Sequence, residues 1–462
     1  MNSYLNVADQ IASDILAGRL RPGDRMPTQR EFAYRSGIAA STASKAYGEL
    51  IRRGLLVGEV GRGTFVKAVA ANTPVMSEAH PEIAADLEMG FPVLPAQAVM
   101  QGRGLGWVAR PDALDKAFRA TTATGTASRR AIAARFLDCA NWAPDPKGIL
   151  FAAGGRQAIG AAIAGIVPVG GRLGVEEITY PAVKHIAGRL GIQLIPLGMD
   201  AEGILPEAIA SAHAKHGLSA IYLQPVLHNP LGINTSHARL AAIAALLRDT
   251  GVLAIEDVIY RFLLDTPHVA LAGLAPEHVV VVDSLSKRLT AGLTLGLIAP
   301  PRGRSEAIAN GMRALGWTAP GFSQEATLRW INDGTVAAIE AEKRVDARLR
   351  QDLAARLLGG LAVRRDPRAY HLWLELPGSW RAEDFVGVLG RHGIAIAPGS
   401  AFAVQHGRAP NAVRLSLATP PLDALTRALD LIAATLRMRP GATGAAGFDE
   451  GSLSRATLPP RN

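Results

Sequence analysis

The feature that most constrains the fold of this chain is an apolar strand that ends in polar residues. Residues 279–282 are four consecutive valines, and Asp283-Ser284-Leu285-Ser286-Lys287 follows them. A short run of β-branched residues is typical of a strand buried on both faces of a parallel sheet. Open α/β sheets bind ligands at the carboxyl ends of such strands. We therefore expect Lys287 to lie in a binding site, where partial desolvation would lower its pKa and make its amine a nucleophile.

Polar residues also follow two other apolar segments. Asn229 lies in the sequence His-Asn-Pro-Leu-Gly at 228–232, and Asp257 lies in Ile-Glu-Asp-Val-Ile-Tyr at 255–260. A single strand-end lysine most often caps a strand at a solvated loop, but three polar strand ends on one rim favour a site. Asp257 is preferred over Glu256 because adjacent residues of a strand face opposite sides.

Apolar segments alternate with helical ones through the middle of the chain. This alternation predicts an α/β fold with a mostly parallel sheet and helices on both faces. The predicted strands include residues 149–151, 172–175, 220–223, 252–255 and 279–282.

Residues 1–67 form a smaller unit with its own pattern. Apolar side chains recur at helical spacing over 5–17, and Thr28 and Glu31 form a capping box that opens a second helix. A third helix and two short strands follow, with glycines between the strands, at 40–53, 55–57 and 64–66. This order predicts a winged helix-turn-helix, and the alternative is a helical hairpin with a charged face.

Three segments of this unit resemble the GntR family of DNA-binding domains. They are Leu-Arg-Pro-Gly-Asp-Arg-Met-Pro-Thr-Gln-Arg-Glu at 20–31, Ser-Thr-Ala-Ser-Lys-Ala-Tyr at 41–47 and Gly-Arg-Gly-Thr-Phe-Val at 61–66. The resemblance implies that the third helix enters the major groove of double-stranded DNA. The implied DNA-binding residues are Ser41, Thr42 and Lys45 of that helix, and Arg30, Arg62 and Gly63 for the backbone or minor groove. Ala40 stands where the family commonly has an arginine.

Length and composition set outer limits. A chain of 462 residues predicts two or three domains. Its single cysteine excludes an internal disulfide and a cysteine-based metal cluster. No apolar run approaches the ~18 residues that span a bilayer, and the N-terminus lacks a signal pattern, so we expect a cytoplasmic protein without a membrane partner. The net charge of +9, with ten Lys/Arg against six Asp/Glu in residues 1–68, favours an acidic partner such as nucleic acid.

The order and spacing of the polar strand ends resemble fold-type-I pyridoxal 5'-phosphate enzymes of the class I/II aminotransferase family. The resemblance implies a Schiff base of the cofactor with Lys287. It also implies a phosphate site at a helix N-terminus, a stacking aromatic residue, a carboxylate on the ring nitrogen and donors to the phenolate oxygen. The matching residues are Gly155, Arg156 and Gln157 with Ser284 and Ser286 for the phosphate, Tyr180 for stacking, Asp257 for the nitrogen, and Asn229 and Tyr260 for the oxygen.

Arg414, in Ala-Val-Arg-Leu-Ser-Leu at 412–417, matches the family arginine that binds a substrate carboxylate; the alternative is a solvent-facing residue of a strand. Two departures bear on the phosphate. Thr294 stands where the family has an arginine, and the segment 121–130 lacks the tyrosine that the family offers to the partner subunit. Arg156 or Arg288 is a candidate to compensate.

A winged helix followed by an aminotransferase-like domain resembles the MocR subgroup of GntR regulators. The implied protein is a homodimeric transcription factor that senses pyridoxal phosphate, or an amine or amino acid, through Lys287. An active aminotransferase with a fused DNA-binding unit is the alternative, and a dimerisation scaffold without cofactor is the third. The expected organisation is a winged helix at 1–67, a linker at 68–87, a large domain at 88–330, a small α+β domain at 331–438 and a disordered tail at 439–462.

Overall fold

The computed structural model describes residues 4–16, 19–20, 24–53, 55–59, 63–66, 84–405 and 407–437. Most of the predicted linker, the predicted tail and Arg62 lie outside these residues. Among the helices described, none combines the length and the apolar character that crossing a lipid bilayer requires.

The N-terminal unit is a winged helix, as predicted. Its elements are α1 (Tyr4–Leu16), α2 (Gln29–Ser36), α3 (Ala40–Arg52), β1 (Leu56–Glu59) and β2 (Gly63–Val66), and β1 pairs with β2 in antiparallel register. Thr28 caps α2, because its hydroxyl accepts a hydrogen bond from the Glu31 amide at 3.2 Å. The three helices and β1 close around a small apolar core that includes Ile11, Tyr47 and Leu50.

The large domain contains one seven-stranded sheet. The strands of the large domain are β4 (Leu150–Ala152), β5 (Arg172–Glu176), β6 (Gln193–Leu197), β7 (Met199–Asp200), β8 (Gly203–Ile204), β9 (Ala220–Leu223), β10 (Leu253–Asp257), β11 (Val279–Ser284) and β12 (Gly296–Ala299). The sheet order is β4-β12-β11-β10-β9-β5-β6, and β7 pairs separately with β8. Neighbours among β5, β6, β9, β10 and β11 are parallel, whereas β12 is antiparallel to both β11 and β4. The mostly parallel sheet confirms the predicted fold class.

Helices cover both faces of this sheet. They are α4 (Gln97–Arg103), α5 (Pro111–Phe118), α6 (Ala127–Leu137), α7 (Gly155–Ile166), α8 (Pro181–Arg189), α9 (Pro206–His216), α10 (His237–Thr250), α11 (Leu271–Leu274), α12 (Ser305–Ala314) and α13 (Gly321–Asn332). The valines of β11 show the two-sided burial directly. Val279 and Val281 belong to one apolar core, and Val280 and Val282 belong to another. This is the alternation that a strand inside a covered sheet requires.

The small domain follows, with a long helix in front of a four-stranded sheet. Its elements are α14 (Thr335–Leu357), β13 (Val363–Arg365), β14 (His371–Glu375), α15 (Ala382–Arg391), β15 (Ile394–Ala395), β16 (Ala397–Pro398), α16 (Gly399–Phe402), β17 (Ala412–Ser416) and α17 (Leu422–Arg437). The sheet order is β13-β14-β17-β16.

The end of the predicted linker is ordered rather than irregular. Residues Ala85–Asp86 form β3, which pairs in parallel with β15, and Leu87 is fully buried in the core of the small domain. This segment therefore belongs structurally to the small domain, because Ala85 and Leu87 are part of its apolar core.

Candidate functional site

The polar strand ends surround one cavity of about 720 Å³ between the large and small domains. All the residues predicted to bind cofactor line it, as does the predicted carboxylate ligand: Gly155, Arg156, Gln157, Tyr180, Asn229, Asp257, Tyr260, Ser284, Ser286, Lys287 and Arg414. The structure thus brings together residues that are up to 259 positions apart. The role of each residue in binding stays a prediction.

Lys287 lies three residues beyond β11, with its amine facing the chain that follows the linker. Its Nζ donates a hydrogen bond to the carbonyl oxygen of Gly90 at 2.6 Å and lies 3.6 Å from the ring centre of Phe91. Burial lowers the pKa of Lys287 to about 7, and nearby positive charges act in the same direction: Arg414, Arg156 and Lys343. Roughly half of the amine is therefore unprotonated at neutral pH, as a nucleophilic lysine requires.

Asp257 ends β10 as a buried carboxylate with three donors. Tyr222 Oη donates to its Oδ2 at 2.7 Å, Gln224 Nε2 donates to the same oxygen at 2.9 Å, and the Ile259 amide donates to Oδ1 at 3.1 Å. Burial raises the pKa of Asp257 to about 6, and the three hydrogen bonds oppose that rise. The group is mostly ionised at neutral pH. Neighbouring Glu256 points to the other face, where it accepts from the amides of α11.

The N-terminus of α7 faces a cluster of hydroxyl groups. Ser284 Oγ lies 3.1 Å from Ser286 Oγ and 3.3 Å from Thr294 Oγ1. A Cβ at Gly155 would lie only 3.1 Å from the Ser284 Cβ, so glycine allows the helix end to approach the hydroxyls. Backbone amides of a first helical turn together with hydroxyl donors form a site suited to an anion.

Arg288 cannot supply the positive charge that Thr294 lacks. Its guanidinium is buried in ion pairs with Asp283 and Glu340 at 2.6 and 2.5 Å, and it lines a different cavity. Of the two candidates to compensate for Thr294, the structure therefore disfavours Arg288. Arg156 lines the main cavity, and its Nε lies 3.4 Å from the hydroxyl of Tyr180.

Two cavity residues retain unused polar atoms. Asn229 Oδ1 has no hydrogen-bond partner among the residues described, and the same holds for Arg414 Nε. Arg414 is 8% exposed, its Nη2 donates to the Glu88 carbonyl at 2.5 Å, and its guanidinium lies 5.3 Å from the ring centre of Phe402. A buried, partly unsatisfied guanidinium contradicts the solvent-facing alternative and is suited to binding a carboxylate. Burial lowers the pKa of Arg414 from its ordinary value.

Several cavity residues were not anticipated from the sequence. Gly90 and Phe91 reach the site from the segment after the linker, and Lys184 lines it from α8. Lys184 Nζ donates to the carbonyls of Ala401 and Ala403, and burial lowers its pKa to about 8. Nothing in the sequence around Gly90 and Phe91 indicates this role. Lys184, in contrast, follows Tyr180-Pro181 closely and could have been recognised from the sequence.

The predicted DNA-binding residues that are described lie on the outside of the winged helix. Arg30, Ser41, Lys45 and Gly63 are exposed, and Thr42 is half-buried. Ser41, Thr42 and Lys45 share the first two turns of α3. Tyr34 on α2 was not among the predicted DNA-binding residues, and its side chain is 90% exposed. This ring is a further exposed side chain of the winged helix.

Two family matches cover the chain. Residues 111–432 match the family described as "Aminotransferase class I and II", and residues 3–66 match "Bacterial regulatory proteins, gntR family". The HTH-type transcriptional regulator YdeF of Bacillus subtilis (strain 168) is 30% identical over 420 residues, which cover 90% of this chain and 90% of YdeF. The "Vitamin B6 salvage pathway transcriptional repressor PtsJ" of Salmonella typhimurium is 27% identical over 89% of this chain and 94% of PtsJ.

Solved aminotransferases share the fold of the two C-terminal domains. An archaeal alanine:glyoxylate aminotransferase superposes with a TM-score of 0.70 at 21% identity, over 76% of this chain and 90% of that protein. LysN, an alpha-aminoadipate aminotransferase from Thermus thermophilus, gives a TM-score of 0.69 at 20% identity, over 77% of this chain and 92% of LysN.

Proposed function

The chain belongs to the MocR subgroup of GntR-family transcriptional regulators, with a winged helix joined to a class I and II aminotransferase domain; on that premise we propose that it binds pyridoxal 5'-phosphate and that Lys287 senses an amine or amino acid. The regulator acts on double-stranded DNA through its winged helix. The observation that carries the proposal is the Lys287 amine, with a pKa of about 7, in one cavity with Asp257 and Arg414.

The residues present fit this cofactor. A phosphate dianion suits the amides of the first turn of α7 and the hydroxyls of Ser284, Ser286 and Thr294. Arg156 lies within that turn and lines the cavity, so we assign it the positive charge that Thr294 does not provide. The Asp257 carboxylate suits a protonated ring nitrogen, because a charge-assisted hydrogen bond holds the proton there.

Three further cavity residues would orient the cofactor ring. Tyr180 borders the cavity as a stacking surface, and Asn229 and Tyr260 supply polar atoms for the ring oxygen. When bound, the cofactor supplies an aldehyde that condenses with primary amines. Lys287 would contribute the amine that holds this group, and its Nζ would hold or return a proton when a ligand amine takes its place. Arg414 selects ligands that carry a carboxylate.

The contact with Gly90 suggests how the signal leaves the cavity. Lys287 Nζ donates to the Gly90 carbonyl, and Gly90 lies in the segment that follows the linker from the winged helix. Nζ cannot make this hydrogen bond in the same way while it holds the cofactor, and an amine ligand that takes its place would free Nζ to donate to Gly90 again. The arrangements with and without the Lys287–Gly90 hydrogen bond would differ in stability, and this difference would bias the position of the DNA-binding units. A homodimer presents two such units to two DNA half-sites, and we propose that state for this regulator.

A second candidate function is complete transamination. The full set of predicted residues lines the cavity, and this observation favours an active aminotransferase. Release of a 2-oxo acid from an amino acid, at a rate that depends on an added 2-oxo acid acceptor, would support it. Exchange of ligands at Lys287 without such a product supports the regulator alone.

The test uses a DNA fragment that the wild-type protein selects from a random-sequence pool. We expect amines or amino acids, tested as a panel with added pyridoxal phosphate, to change the affinity of the wild-type protein for this fragment. Lys287→Ala should bind the same fragment with unchanged affinity and lose the response. The proposal fails if a folded Lys287→Ala protein responds as the wild type does, or if it no longer binds DNA.

A further inference from the structure

A second buried lysine lies directly behind the loop that carries Lys287. Lys343, on α14, is fully buried, and its Nζ donates three hydrogen bonds to backbone carbonyl oxygens. The acceptors are Pro92 at 2.7 Å, Lys287 at 3.0 Å and Leu289 at 3.0 Å. One ammonium group therefore joins the lysine loop to the segment that follows the linker.

Burying the Lys343 ammonium group in these surroundings reduces the stability of the fold. A buried charge is normally paired with an opposite charge. Lys343 has only carbonyl oxygens as hydrogen-bond partners among the described residues, and the charges of Asp346 and Glu340 act on it from a distance. Burial lowers the pKa of Lys343 to about 7. The Leu289 carbonyl also accepts from Gln97 Nε2 at 2.7 Å, so satisfying that oxygen does not require a lysine.

We propose that Lys343 is a positioning residue for Lys287: its ammonium group fixes the backbone of the lysine loop against the segment 90–92 and keeps positive charge beside the reactive amine. Pro92 is two residues from Gly90, the carbonyl that accepts from Lys287 Nζ. Lys343 therefore holds both ends of that contact. The inference rests on the proposed function in one respect, that Lys287 acts as an amine.

The charge of Lys343 adds to its geometric role. The charged groups that act on the Lys287 amine are Arg414, Arg156 and Lys343, which disfavour its protonation, and Asp257, which favours it. Removing the Lys343 charge removes one of three positive contributions. The Lys287 amine should then retain its proton to higher pH.

Lys343→Met tests the inference, because methionine fills a similar volume without donors or charge. The matched control is Arg350→Met. Arg350 lies seven residues further along α14, is also buried, and donates to the carbonyls of Leu417 and Pro420 at 2.7 Å each, away from the lysine loop. It also pairs with Asp346 at 2.8 Å, so the control includes the loss of one neighbouring ion pair. The full chain, without added cofactor, is labelled with limiting acetic anhydride at a series of pH values, and mass spectrometry gives the labelling of Lys287.

We expect half-maximal labelling of Lys287 near pH 7 in the wild type and in Arg350→Met, and at a higher pH in Lys343→Met. Pyridoxal 5'-phosphate, the second probe, should bind Lys343→Met roughly tenfold more weakly, because hydrogen bonds from a charged donor are lost. Lys343→Gln keeps a donor without the charge, so it should show the pH shift with a smaller loss of affinity. It also keeps the test available if the methionine variant does not fold.

Unchanged labelling midpoints in folded Lys343→Met and Lys343→Gln would overturn the inference. An equal shift in Arg350→Met would also overturn it, since the effect would then reflect general loosening of α14. The labelling does not require cofactor. If the wild type binds no pyridoxal phosphate through Lys287, the proposed function fails while the labelling still decides the role of Lys343.

Discussion

Tyr222→Phe should raise the pKa of Asp257 from about 6 to roughly 7–8. The Tyr222 hydroxyl donates to Asp257 Oδ2 at 2.7 Å, and both groups are buried. A hydrogen bond to a charged acceptor contributes about 1.5–3 kcal/mol, and 1.36 kcal/mol corresponds to one pKa unit. Gln224 and the Ile259 amide remain as donors, so the carboxylate keeps part of its stabilisation. The ionised fraction of Asp257 at pH 7 would fall from about nine-tenths to between roughly half and one-tenth.

Infrared difference spectroscopy measures this change, because a protonated carboxyl absorbs separately from a carboxylate. The pH titration of wild-type protein is compared with Tyr222→Phe, and Asp257→Asn identifies the band that belongs to Asp257. We expect pyridoxal phosphate to bind Tyr222→Phe more weakly at pH 7 than at pH 9, where the carboxylate is again ionised. A carboxyl band that titrates at the same pH in Tyr222→Phe and wild type would refute the assigned hydrogen bond.

Two further predictions concern the ligand and the DNA. Arg414→Met should weaken the response to amino acids at least tenfold more than the response to amines without a carboxylate, because only the former use the guanidinium. An equal loss for both classes in a ligand titration would contradict the assignment. Lys45→Ala should weaken binding to the selected DNA fragment and reduce the slope of log affinity against log salt by about one, if Lys45 contacts a phosphate, without changing the absorbance of bound pyridoxal phosphate. An unchanged DNA affinity would remove Lys45 from the contact surface.

Local patterns in the sequence were sufficient for the main elements of the fold. The four valines of β11 alternate between two apolar cores, and Thr28 caps α2 through the predicted hydrogen bond. Strand β12 was not predicted. The burial of its four residues, Gly296–Ala299, depends on the antiparallel neighbours β11 and β4.

The candidate site was predictable where polar residues follow apolar strands, as at Asn229, Asp257 and Lys287. It was not predictable where the contact depends on tertiary packing. Gly90 meets Lys287 across 197 positions of sequence. Lys343 stands between Glu342 and Arg344, a run of charges typical of a solvated helix face, yet it is fully buried. Arg288 looked available for a phosphate, and only the structure reveals its ion pairs with Asp283 and Glu340.

The most direct test of the central proposal is the absorption spectrum of the purified protein with added pyridoxal 5'-phosphate. The spectrum is recorded before and after the panel of amines and amino acids, for the wild type and Lys287→Ala. We predict a visible band of lysine-bound cofactor that requires Lys287 and that one class of amine shifts. Absence of such a band in the wild type, or an identical band in Lys287→Ala, would contradict the proposal that Lys287 is the sensor.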